Sequence, residues 1–168
     1  MMRMRIAMPI LAGAVLALAP GGNEPSKMNM SVVRGYLDKM GARYVPHPKS
    51  EHTLVVTRAV NDRAESIDLY VDLRQDSTLV LTAYAKGKGR YFSLARAASR
   101  EKMLRRLLAA NHYAFATFFV DEQDDVGVRF TFTTEDGVGF ESFRVAATEL
   151  LRIADEYTPI LEDYMRKE

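Results

Sequence analysis

Residues 107–133 read LLAANHYAFATFFVDEQDDVGVRFTFT, and the fold class follows from how this run is parsed. Its start closes a leucine-rich helical pattern, and from Phe115 the apolar period drops to two. Phe115–Asp121 and Val126–Thr133 are each strand-like, and the acidic DEQDD between them makes the pair a hairpin. Ala116, Phe118 and Val120 then face one side with Val126, Val128, Phe130 and Phe132, which sends Phe115 and Phe119 to the other. The clustered carboxylates raise the question of a calcium loop. Counted from Asp121, the glycine and glutamate positions of an EF-hand hold Val126 and Phe132, and the flanks are strands rather than helices. Charge at a turn keeps it solvated and discourages edge-to-edge pairing, so Asp121–Asp125 reads as a hairpin tip.

Upstream of the hairpin, Ser99 caps a helix from Arg100 to about Asn111 that buries Met103, Leu104, Leu107 and Leu108. Before it come three strands, Thr53–Val60, Ser66–Leu73 and Thr78–Ala85, joined by the short turn-rich separators NDRAE and RQDS. SVVRGYLDKMG places Val32, Val33, Tyr36, Leu37 and Met40 on one helical stripe, with Ser31 as N-cap and Gly41 as the left-handed stop. YVPHPKSEH breaks helix at Pro46 and Pro48. Downstream, Ser142 to about Arg166 forms a long helix that Pro159 should kink or restart. The order α-βββ-α-ββ-α predicts an α+β domain over residues 30–166, an antiparallel sheet of about five strands with three helices.

The N-terminus stands apart. MMRMR and an apolar run from Ile6 to Ala19 precede the breaker-rich PGGNEPS, the layout of a signal peptide too short to span a membrane comfortably. Ala17 and Ala19 supply a cleavage signature, whereas Pro20 disfavours cutting directly after it. Residues 1–19 therefore predict export or a short anchor, with residues 20–29 as linker. The chain carries 23 basic and 22 acidic residues; loss of Arg3 and Arg5 leaves 21 against 22, formally −1. A nearly neutral domain lacks the field of a nucleic-acid binder. With no cysteine there are no disulfides, thiol nucleophiles or cysteine-based zinc sites.

Chemistry-bearing motifs are sparse. His47 and His52 flank Glu51 without a third metal ligand, and His112 follows a helix where it can cap carbonyls. Ser99–Lys102 matches S-x-x-K only superficially, and KGKG at Lys86–Gly89 lacks P-loop spacing. A hydrolase or metal enzyme using His47, His52 or His112 is the minor alternative; no cofactor and no metal are expected. A basic run, Lys86, Lys88, Arg90, Arg105 and Arg106 among its members, reads as a solvated surface or as a patch for an acidic partner, an anionic membrane or nucleic acid, with too few interleaved aromatics for single-strand stacking. The outward strand positions are more telling. Tyr70, Tyr84, Phe115 and Phe119, with Val55 and Val80, give the second sheet face more apolar surface than a solvated face carries.

The element order, the helix ending LLAANHYAF, the aromatic strand, the acidic hairpin and the final helix ending near Tyr157-Thr158-Pro159 together resemble the YbjN domain family. Members are similar in fold to class I type III secretion chaperones. The resemblance covers roughly Met30 to Tyr164. It implies a small non-enzymatic domain, associated with sensory-transduction regulation, that dimerises and binds polypeptide; no catalytic residues come with it. A secretion chaperone works in the cytoplasm, so the export-like N-terminus departs from that pattern. The combined expectation is a homodimeric protein-binding module, periplasmic, secreted or membrane-tethered through residues 6–19. Tyr70, Tyr84, Phe115 and Phe119 would be its partner anchors. The alternative is a membrane-surface adaptor using the basic run.

Overall fold

A computed structural model describes residues 28–59, 63–111 and 115–165; the N-terminal segment and His112 lie outside these. Helix α1 (Met30–Lys39) is followed by strands β1 (Tyr44–His47), β2 (Ser50–Ala59), β3 (Ser66–Leu73), β4 (Thr78–Gly87) and β5 (Arg90–Tyr91). A 3-10 turn (Leu94–Arg96), helix α2 (Arg100–Asn111), strands β6 (Thr117–Val120) and β7 (Val126–Thr133) and helix α3 (Phe140–Met165) complete it. The sheet is antiparallel, in the order β1-β2-β3-β4-β7-β6, with β5 pairing on β4. Among the described residues the α+β class and the three helices stand as expected, and the strand count rises from about five to seven.

Both added strands fall where breakers dominate the sequence. β1 contains Pro46, which an edge strand tolerates because its outer side needs no donor, and the ladder slips between Pro46 and His47. β5 is two residues long and exists because Lys88 and Gly89, both at positive φ, make a tight reversal onto Lys86 and Gly87.

Register places one residue of each strand behind the next on a single face. Leu54 pairs with Val71, Val71 with Leu81 and Leu81 with Phe130. Onto this face α3 lays Phe143, Ala147, Leu150 and Ala154, all buried. The small alanines let the helix approach the sheet closely, and Ala83 and Ala85 on β4 answer them. α3 does not restart at Pro159: it continues to Met165, and the Thr158 hydroxyl donates to the Ala154 carbonyl at 3.0 Å. Among the described residues no helix is long and apolar enough to cross a membrane.

Two further expectations change. The α1 N-cap is Asn29, whose side chain accepts from the N–H groups of Ser31 and Val32, so Ser31 lies inside the helix. On α2, Met103 and Leu107 are buried, but Leu104 and Leu108 are 40% and 61% exposed. The helix meets β6 and α3 along a narrow stripe, too narrow to cover the neighbouring leucines. Gly41, at φ 65°, is the expected left-handed stop.

Candidate binding face

The opposite face of the sheet is lined by the alternate residues of the same strands. On β3 and β4, Asp68 pairs with Tyr84 and Tyr70 with Thr82, so the Tyr70 and Tyr84 rings meet diagonally, 5.6 Å apart and nearly perpendicular. Tyr84 also lies 5.2 Å from Tyr91 and 5.9 Å from Phe119. The Arg129 guanidinium sits 3.8 Å over the Phe119 ring, and His47 meets the edge of Tyr70 at 5.9 Å. Gly127, opposite Phe119 on β7, makes this packing possible. A Cβ there would lie 2.8 Å from Phe119 and 2.9 Å from Tyr84.

The polar ends of these rings form a connected chain. Asp68 is 5% exposed and accepts from Thr57 at 2.8 Å, from the Tyr91 hydroxyl, and from Lys86, whose Nζ lies 2.7 Å away. Tyr91 gives its one proton to Asp68, so in the 2.9 Å contact between the two phenols Tyr70 is the donor. Burial opposes the charge on Asp68, but the bonds from Lys86, Tyr91 and Thr57 outweigh it and hold the carboxyl below its usual range. Burial and then the Asp68 bond push the Tyr91 phenol up; burial and Asp121 do the same to Tyr84. The phenols stay protonated at neutral pH. The face is a fixed aromatic surface with donors and charges at its edges, suited to holding a ligand.

Of the four expected anchors, Tyr70, Tyr84 and Phe119 come together here and Phe115 does not. β6 begins at Thr117, so the period of two does not reach back to Phe115. That ring stacks flat on Phe130, 4.5 Å away, and remains 50% exposed. Among the basic residues, Lys86 is drawn into the face by Asp68. Lys88 and Arg90 sit exposed at the β4–β5 turn, and Arg105 and Arg106 sit exposed on α2, so the basic run divides between elements. Arg105 pairs with Glu101 at 2.7 Å.

The acidic tip is a turn, and a structured one. Asp121 Oδ1 accepts the N–H groups of Gln123 and Asp125 at 2.9 and 2.8 Å, and Asp124 adopts φ 62°. Asp121 also accepts the Tyr84 hydroxyl at 3.0 Å, and backbone bonds from Leu94 to Asp124 and from Val126 to Phe92 dock the tip on the segment after β5. Burial and the neighbouring Asp121 raise the Asp125 carboxyl. His47 Nδ1 accepts the Lys49 N–H at 3.3 Å, and His52 lies 3.3 Å from Glu51 on the surface. Among the described residues no three metal-ligating side chains come together.

Sequence reading missed Tyr91, Gly127, Arg129 and the role of Asp68. Asp68 is legible as outward-facing on β3, but its pairing with Lys86 depends on strand register, and Tyr91 lies in a segment without strand signal.

A helix-covered sheet with a tyrosine-rich opposite face defines a small α+β domain. The chain belongs to the YbjN family, described as "Putative bacterial sensory transduction regulator", whose model matches residues 52–163. Three solved structures share the fold. YbjN, "a putative transcription regulator from E. coli", is 19% identical, with a TM-score of 0.58, covering 81% of this chain and 96% of that one. An uncharacterized protein from Methanothermobacter thermautotrophicus is 13% identical, TM-score 0.54, covering 82% and 99%. A chain of the ExsC–ExsE complex is 17% identical, TM-score 0.53, covering 82% and 96%. No curated protein matches the chain in sequence.

Proposed function

We propose that this chain is a non-enzymatic domain that binds a polypeptide partner on the tyrosine face of its sheet, acts as a homodimer and works at the cell envelope. One observation carries the reading: the rings of Tyr70, Tyr84, Tyr91 and Phe119 are packed together yet part-exposed, on the sheet face opposite the one that buries the core of α3. Preordered aromatic groups lose little freedom on binding and dominate interface energetics. The fold neighbour solved as the ExsC–ExsE complex supports a protein as the class of partner. For the dimer, the support is the exposed Leu104 and Leu108, one turn apart on α2, which a second copy would cover. The envelope is supported by the basic start and apolar run of residues 1–19 alone.

The test is affinity capture with the tagged full chain beside Phe119→Asp. Phe119 is only half-buried and Arg129 stands over it, so the variant should keep its circular dichroism and unfold cooperatively, with a melting temperature lowered only by the lost contacts to Tyr84 and Arg129. The partner retained by the original chain should be lost by the variant, a weakening of about 2 kcal/mol or more. A folded variant that retains the same partner at the same yield refutes the face as the binding surface.

A further inference from the structure

A second concave feature adjoins the tyrosine face. Between the β4–β5 turn and the last turn of α3 lies a cleft of about 630 Å³, lined by Lys88, Arg90, Arg96, Phe92, Tyr91 and Met165, with Glu162 as its one carboxylate. Gly87 lets the Phe92 ring pack directly on the β4 backbone as one wall of the cleft; a Cβ there would lie 2.9 Å from that ring. Its cations are presented by a rigid frame. Lys88 and Gly89 form a two-residue turn at positive φ, and Glu65 accepts the Gly89 N–H at 2.6 Å. Arg96 is held by its bond to the Tyr91 carbonyl. Lys88 and Arg90 are exposed and have no carboxylate partner among the described residues.

We propose that this cleft receives an acidic segment of the polypeptide partner, with carboxylates on Lys88, Arg90 and Arg96 and an apolar side chain between Phe92 and Met165. The inference rests on the polypeptide-binding reading and deepens it. Tyr91 provides the continuity: its ring lines the cleft while its hydroxyl belongs to the Tyr70–Asp68 chain of the open face. A chain lying across Tyr84 and Tyr70 therefore reaches the cations without leaving the surface. Three cations confined beside apolar rings match a short acidic-apolar stretch. A membrane surface would instead call for a broad basic plane, and Arg105 and Arg106 stand on a different element.

The test uses two fluorescein-labelled peptides of identical aliphatic and aromatic content, one with glutamates and one with glutamines at the same positions. Anisotropy titration of the full chain should show the glutamate peptide binding about tenfold tighter at low salt. The advantage should vanish in Lys88→Glu/Arg90→Glu and shrink on adding salt. Both positions are exposed, so the melting temperature should hold; should the double variant fail to fold, Arg90→Gln must show part of the loss. Equal binding of both peptides overturns the cleft and leaves the tyrosine face standing. If neither peptide binds, the cleft and the polypeptide reading fall together. Binding to phosphatidylglycerol vesicles with no preference for the glutamate peptide also overturns the proposal, in favour of a membrane surface.

Discussion

The two faces of this sheet are made from alternate residues of the same strands, yet they are held together by different forces. Toward α3, Leu69, Val71, Leu79 and Leu81 pack against Phe143 and Leu150 with their side chains fully out of water. Toward the open side, Tyr70, Tyr84 and Tyr91 are half-buried by one another and by their hydrogen bonds, and among the described residues they keep part of their surface exposed. The first face gains from apolar burial and dispersion, which need a covering element. The second obtains order by edge-to-face ring contacts and a buried carboxylate that fixes their hydroxyls. A face built this way is ordered while part of it stays exposed, the property on which the proposed binding surface depends.

The comparison is broken most severely from the helix side. Phe143→Ala should destabilise the domain by about 3–5 kcal/mol, because the ring is wholly buried and packs on Tyr36 at 5.5 Å, leaving a cavity that little can fill. Urea unfolding followed by far-UV circular dichroism reads this loss directly. A change under about 1 kcal/mol would mean that the helix face is not the main source of stability.

On the open face the sharper probe is Asp68→Asn, for which we expect a loss of about 2 kcal/mol at neutral pH, since Lys86 is left without its charge partner. The folded carboxyl lies below its ordinary value, so its contribution is complete above the unfolded pKa of about 4 and is lost as pH falls through the lowered folded pKa. The difference between the original chain and the variant should therefore close in acid. Asp125 works in the opposite sense: its raised pKa means that protonation favours the fold as pH falls. Unfolding measured across the acid range separates the two, because only the Asp68 contribution disappears in the variant. A variant equally less stable at every pH would show that shape, not charge, holds this face.

The smallest effect belongs to neither face. Arg105→Ala removes an ion pair whose side chains are both 78% exposed, and should change stability by less than about 0.5 kcal/mol. A larger loss in dilute solution that grows on further dilution would point to a role of α2 in association.

Much of this was legible before any coordinates. Alternation along Ser66–Leu73 and Val126–Thr133 assigned strands and faces correctly, because a half-buried strand has no other way to satisfy its pleat. The same rule brought Tyr70, Tyr84 and Phe119 to one face. It failed at Phe115, because alternation holds only inside a strand and β6 starts two residues later. It failed at Leu104 and Leu108, because helical periodicity tells which residues share a side and not how wide the receiving surface is.

The sequence by itself determined the element order, the α+β class and the family, since these depend on local period, turn residues and caps that neighbouring positions already contain. Tertiary structure alone decided that β7 lies beside β4, that Lys86 answers Asp68, and that Tyr91 joins the open face through a two-residue strand. Each of these is a contact between residues far apart or between strands of unknown register, and no local pattern encodes register. The cleft beside Lys88 and Arg90 belongs with them. Its cations are visible in the chain, but the walls that make it a site come from β4, β5 and the end of α3, which only folding brings together.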